Sequence, residues 1–201
     1  FLLGIMDLLN KLLLVHLLLG LSLYKFQFLS TYFGYVIILI GTYVIASYPD
    51  PKRILPLFCS FYIIGAEVLL RMTKAALFWE FGKYAVIYFL LLGQIRGNKK
   101  ININIIIIFY FILLLPSIIN IPFESLNLWR QAVAFNLSGP ACLMMSALYI
   151  SNINISKNEM QKMLFISILP IVAMSVVVIF RMPILETYNF TPNSDFVTSG
   201  G

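Results

Sequence analysis

Apolar runs recur along almost the whole chain, from Leu8 to Phe180, and the polar breaks between them are short. A secretory leader has a single apolar stretch ahead of a polar mature chain, so this repetition points instead to repeated membrane crossing. A helical span takes about 20 predominantly apolar residues, which leaves room here for roughly six to eight. Seven are counted. With 61% hydrophobic and only 11% charged residues, a water-soluble globular fold, disorder and a collagen-like chain are all excluded. The expected fold is all-α: a polytopic transmembrane helix bundle of about seven spans, forming a single transmembrane domain over residues 1–201.

The first run covers Leu8 to Tyr24 and the second Leu29 to Tyr48, ending in Pro49-Asp50-Pro51-Lys52-Arg53, where the prolines stop a helix. Residues 54–95 are too many for one span and suit two, with a turn near Arg71 to Ala75. Arg96-Gly97-Asn98-Lys99-Lys100 is a polar loop before the isoleucine-rich run Ile101 to Ile119. That run is β-branched, but at 1.5 Å per residue it reaches about 28 Å, close to a bilayer core, and is read as helix. The sixth span runs from Gln131 to Ile150 and the seventh from Met163 to Phe180. Residues 181–201 read as the start of an extracytoplasmic loop. The chain begins at Phe1 and stops in Ser199-Gly200-Gly201, and is read as a piece of a longer protein.

A net charge of +6 in a soluble protein would suggest nucleic acid, but these basic residues are scattered between apolar runs, so no nucleic-acid partner is expected. Lys52-Arg53, the Arg96–Lys100 cluster and Lys157 with Lys162 all fall on one side when spans are counted in pairs. By the positive-inside rule that side is the cytoplasm. Cys59 and Cys142 lie inside apolar segments and give neither a disulfide framework nor a metal-ligand spacing. No metal and no cofactor is expected.

Charged side chains inside a span cost roughly 2.5–3.5 kcal/mol each on insertion scales, so they mark partners or wet cavities. Glu67, Arg71 and Lys74 fall within about 60° of one another on a helix, a charged stripe at the outer end of span three. Glu80 and Lys83 form a second pair, expected about two turns into span four and facing that stripe. Two readings follow. The pairs could fasten helices while Arg71 and Lys74 snorkel at the interface, or the surplus of cations could bind an anion. In the second reading Arg71 is the primary phosphate ligand, because its planar fork suits phosphate, and Lys74 assists.

Span six holds Phe135-Asn136-Leu137-Ser138-Gly139-Pro140, a proline, a glycine and two hydrogen-bonding side chains in an apolar helix. Such interruptions survive in lipid where protein or a wet cavity satisfies the freed backbone groups, so the stretch reads either as a packing kink or as a cavity lining. His16 has no nearby acid or cysteine in sequence and reads as a packing contact. No nucleophilic triad, phosphate-cradling loop or Asp-x-Asp metal motif can be assembled, so the catalytic group is unassigned. Trp79 and Trp129 fit an aromatic belt at the outer interface.

The runs Gly65-Ala66-Glu67-Val68-Leu69-Leu70-Arg71-Met72-Thr73-Lys74 and Trp79-Glu80-Phe81-Gly82-Lys83-Tyr84, with Arg130, Phe135–Pro140 and the terminal Ser199-Gly200-Gly201, resemble the O-antigen ligase and O-antigen polymerase superfamily of membrane glycan transferases. The resemblance covers the chain from span three onward. It implies a bundle like that of the GT-C glycosyltransferases in a bacterial inner membrane. It also implies transfer of a glycan from undecaprenyl diphosphate to a sugar or lipid A core acceptor on the periplasmic side, without metal. By that resemblance Arg71 matches a donor-binding position, with Lys74, Arg130 and Lys83 as further substrate-binding candidates and Glu67, Glu80, Asn136 and Ser138 in support. The family's catalytic histidine lies in a later loop that has no counterpart before Gly201. A transporter or flippase-like carrier, and a noncatalytic membrane subunit that binds a partner chain, are the competing readings.

Overall fold

The computed structural model describes residues 2–78, 80–97, 105–118 and 126–185. Among these it contains seven α-helices, one short 3-10 turn and no strand. The helices are α1 (Leu2–Lys25), α2 (Leu29–Ser47), α3 (Leu55–Met72), α4 (Phe81–Arg96), α5 (Ile105–Leu114), α6 (Leu126–Ile150) and α7 (Lys157–Leu185). Each of the seven apolar runs has become one helix, including the β-branched fifth run. Four helices are long and apolar enough to cross a membrane: α2, α3, the stretch Trp129–Ile150 of α6 and the stretch Lys157–Arg181 of α7. The expected seven spans are thus seven helices with four of spanning length, which supports a membrane protein of helical-bundle type.

Several boundaries differ from the sequence reading. The non-helical link after α3 takes in residues 73–78 and residue 80 before α4 begins, rather than closing within Arg71 to Ala75. Its cause is local: Lys74 takes a left-handed backbone with φ 55. Its N–H bonds the Arg71 carbonyl at 3.0 Å, and the Ala75 N–H bonds the Leu70 carbonyl at 3.0 Å. Those two bonds make a Schellman stop with lysine in the place glycine normally takes. Lys74 therefore lies off the helix that carries Glu67 and Arg71, and the three-residue stripe expected there is a pair plus a capping residue. Glu80 is likewise the residue before α4, not two turns inside it. α6 starts earlier than expected, and α7 extends in both directions, from Lys157 to Leu185. Trp79, Lys99, Lys100, the Ser199-Gly200-Gly201 terminus and nearly all of the expected loop 181–201 lie outside the described residues.

The chain divides into two compact units, one made of residues 1–39, 61–77 and 158–201 and the other of residues 40–60 and 78–157. In the first unit, Leu23 of α1, Leu69 of α3 and Ala173 and Val177 of α7 form a buried cluster with Phe33 and Met174 packed on it. Lipid tails are as apolar as leucine, so close helix contact in a membrane comes from small residues rather than from the hydrophobic effect. Gly20 illustrates this: a Cβ there would lie 2.5 Å from the Ala173 carbonyl oxygen. Gly65 meets the Ser167 carbonyl more closely still. Glycines on α1 and α3 thus let α7 approach backbone to backbone. His16, 7% exposed, ties α1 to α3: its Nδ1–H donates to the Leu12 carbonyl at 2.8 Å and the Tyr62 hydroxyl donates to Nε2 at 3.0 Å. This is the packing role expected for it.

In the second unit α4 packs on α6, and α6 on α5. α4 buries Ala85, Val86, Phe89 and Leu90. The Asp50 carboxylate caps α3 by accepting the Leu55 N–H at 2.7 Å. Arg53, expected only as a topology marker, is 4% exposed. Its guanidinium sits 5.1 Å from the Tyr149 ring centroid and donates to Gln94 Oε1. Its own carbonyl accepts the Tyr149 hydroxyl at 2.9 Å. With φ 60 it is the second non-glycine residue in the left-handed region, held there by its side chain's partners.

Candidate functional site

Both acid–base pairs expected from the sequence are formed. On α3, Arg71 Nη2 donates to Glu67 Oε1 at 2.6 Å, each side chain a quarter exposed. Lys74 is exposed just beyond. In the second unit Lys83 Nζ lies 2.5 Å from Glu80 Oε2, with 4% of the Glu80 side chain exposed. The two pairs belong to different units.

The Glu80 pair recruits a third residue. Ser138 of α6, 2% exposed, donates its hydroxyl to Glu80 Oε2 at 2.8 Å. Lys83 Nζ is also 3.4 Å from Ser138 Oγ and 5.8 Å from the Phe135 ring centroid. The helix carrying Ser138 is continuous through Pro140. Pro140 therefore sits inside an unbroken helix, and Ser138, two residues before it, points its hydroxyl across to Glu80. Asn136 is exposed and lines the adjoining cleft, and Gly139 faces open space.

Glu80 is only half satisfied. Oε2 takes both the lysine and the serine, whereas Oε1 is buried with no hydrogen-bond partner. A buried polar atom left without a donor costs about 1–3 kcal/mol, more when charged. Glu80 also contributes to the wall of a cleft of about 1130 Å³, with Phe78, Tyr84, Trp129, Arg130 and the α6 residues up to Asn136. That size is at or above the upper end for ligand pockets, which run about 300–1,000 Å³. Arg130 is exposed at the start of α6, and Phe78 and Tyr84 expose 57% and 41% of their surface. Phe78 meets Tyr84 with ring centroids 5.6 Å apart. The cleft thus combines an arginine at its rim, aromatic faces and a fixed acid–lysine–serine group.

Of the residues named from sequence, Glu80, Arg130 and Asn136 line this cleft and Lys83 and Ser138 bond to Glu80, all in one unit, whereas Glu67, Arg71 and Lys74 belong to the other. The aromatic contribution of Phe78 and Tyr84 was not read from the sequence, because in a chain this rich in aromatic residues two more carry no signal. No group of three or more histidine, cysteine or acidic residues arranged for a metal occurs among the described residues. Comparison with known proteins finds no matching family model, no matching curated protein and no matching solved structure.

Proposed function

We propose that this is a membrane glycosyltransferase of the O-antigen ligase and polymerase type, with the α4–α6 cleft as its glycan-binding site. The observation that carries this reading is that Glu80, whose Oε1 is buried without a partner, lines a large cleft together with aromatic residues. A buried carboxylate oxygen lacking a donor is matched by a ligand rich in hydroxyl groups, and exposed aromatic faces suit the apolar faces of sugar rings. Arg130 supplies the cation for a diphosphate, whose negative charge grows as the glycosidic oxygen leaves the anomeric carbon. A donor already in place stabilises that charge without reorganising. Lys83 pairs with the Glu80 carboxylate and adds positive potential beside it.

In this reading the donor is a polyprenyl-diphosphate-linked glycan, the acceptor a sugar hydroxyl or a lipid A core sugar, and the protein sits in a bacterial inner membrane with the cleft toward the periplasm. The bundle is then of the GT-C kind. Purified intact protein in liposomes should transfer a labelled glycan from polyprenyl diphosphate to an acceptor. Arg130→Ala should slow transfer by about 10²–10³-fold, the range for losing one preorganised charge-stabilising donor, with membrane insertion unchanged. Unaltered transfer by the variant removes the assignment. Movement of the labelled lipid across the bilayer with no acceptor extended replaces it with the carrier reading.

A further inference from the structure

The first unit gathers cations at one end. Lys25 is the last residue of α1, Arg71 is in the last turn of α3, Lys74 follows two residues beyond that helix, and Arg181 is near the end of α7. Contacts bring these ends together. The Tyr24 ring packs on Phe180 with centroids 5.4 Å apart, and Arg181 Nη1 donates to the Met72 carbonyl at the end of α3. Among the described residues of this end, Glu67 is the only acid, and it is paired with Arg71.

Basic residues are favoured at helix C-termini because free carbonyls carry partial negative charge, and that accounts for each of them separately. It leaves Arg181 Nη2 unexplained. That nitrogen is buried and has no hydrogen-bond partner, although its sister Nη1 is bonded. A guanidinium with one nitrogen fixed and the other unpartnered, at the end of the unit that also exposes Lys74 and Lys25, matches an oxyanion with several acceptor oxygens. The rings of Tyr24 and Phe180 at the same level offer an apolar surface next to the charge. Helices long enough to cross a bilayer put their ends at the depth of lipid headgroups.

We propose that this end of the first unit binds the phosphate of an anionic lipid, with Arg181 as the central ligand and Lys74 and Lys25 beside it. Its residues belong to the first unit and those of the α4–α6 cleft to the second, and Arg181 is not among the cleft's lining residues. Glycerophospholipids and polyprenyl phosphates share the headgroup chemistry, so the test separates them. The full-length protein is released from detergent and titrated, by native mass spectrometry, with phosphatidylglycerol, polyprenyl monophosphate, diacylglycerol and inorganic phosphate.

At least one phosphate-bearing lipid should bind about tenfold or more tightly than diacylglycerol, and Arg181→Gln should remove about tenfold, the loss expected for one charge-assisted hydrogen bond. Because Arg181→Gln also loses the bond to Met72, Lys74→Gln serves as the variant that leaves packing intact, and it should weaken binding by about threefold. Selectivity for polyprenyl phosphate makes this a carrier-lipid site, and equal binding of phosphatidylglycerol makes it a general headgroup site. Equal retention of diacylglycerol, binding of inorganic phosphate alone, or unchanged binding by both variants overturns the proposal. None of these results depends on Arg130, so the transferase reading fails or stands by its own assay.

Discussion

The two units each carry an acid and a base within one helical turn, yet they use them differently. Glu67 and Arg71 answer one another on α3, four residues apart, with a quarter of each side chain open. Glu80 and Lys83 are three apart, the acid almost wholly enclosed, and a serine from another helix completes the group. Spacing alone made these pairs look alike. What separates them is enclosure: an open pair can be rescreened by water, whereas an enclosed one commits whatever surrounds it, here α6, to satisfy the charge.

The largest effect should therefore come from unpairing the enclosed acid. Glu80→Ala strands Lys83 and Ser138 and should cost about 3–5 kcal/mol, the range for breaking a buried pair by removing one partner. Glu67→Ala, at a pair with a quarter of each side chain open, should cost clearly less than that. Unfolding of both variants in the same lipid-like medium checks the contrast, and equal losses would erase it.

Helix contact sharpens the comparison next. Gly65→Ala in the first unit forces a methyl against the Ser167 carbonyl and should cost about 1–3 kcal/mol, as overpacking does. Gly139→Ala in the second unit meets nothing within 4 Å. It should be neutral or slightly stabilising, because alanine is the better helix former by about 1 kcal/mol. Thermal midpoints of the two variants read the difference directly.

The smallest effect compares the two left-handed residues. Lys74→Gly should stabilise the first unit by about 0.5–1 kcal/mol, since the side chain is exposed and the backbone conformation suits glycine. Arg53→Gly should instead destabilise the second, because relief of the same backbone strain is outweighed by loss of the contacts to Gln94 and Tyr149. Opposite signs in denaturant midpoints support this, and the same sign in both contradicts it.

Helix number and order were legible in the sequence because each apolar run is bounded by charge, proline or asparagine, as at Pro49–Arg53 and Lys157–Lys162. Helix ends were less so. The segment Ala75–Phe78 is as apolar as a span, and what removes it from a helix is the left-handed turn at Lys74, a residue type that does not advertise such a turn. The i,i+3 and i,i+4 pairs were readable because they are local. Their partners from other helices were not: Ser138 is one of four polar or helix-breaking residues in the Phe135–Pro140 stretch of span six, and no pattern singles it out as the one that would meet Glu80. Arg53 and Arg181 were read as loop charges and prove to be half-buried or buried against Tyr149 and Met72. In a lipid-facing chain the outer surface is as apolar as the core, so periodicity cannot tell which side of a helix meets protein.

The length of α4 carries a last consequence. Its sixteen residues rise about 24 Å, against about 30 Å for a bilayer's hydrocarbon layer. Wherever α4 crosses, the surrounding leaflets must pinch inward to meet it. The hydrophobic mismatch then falls beside the cleft, next to Glu80 at the start of that helix.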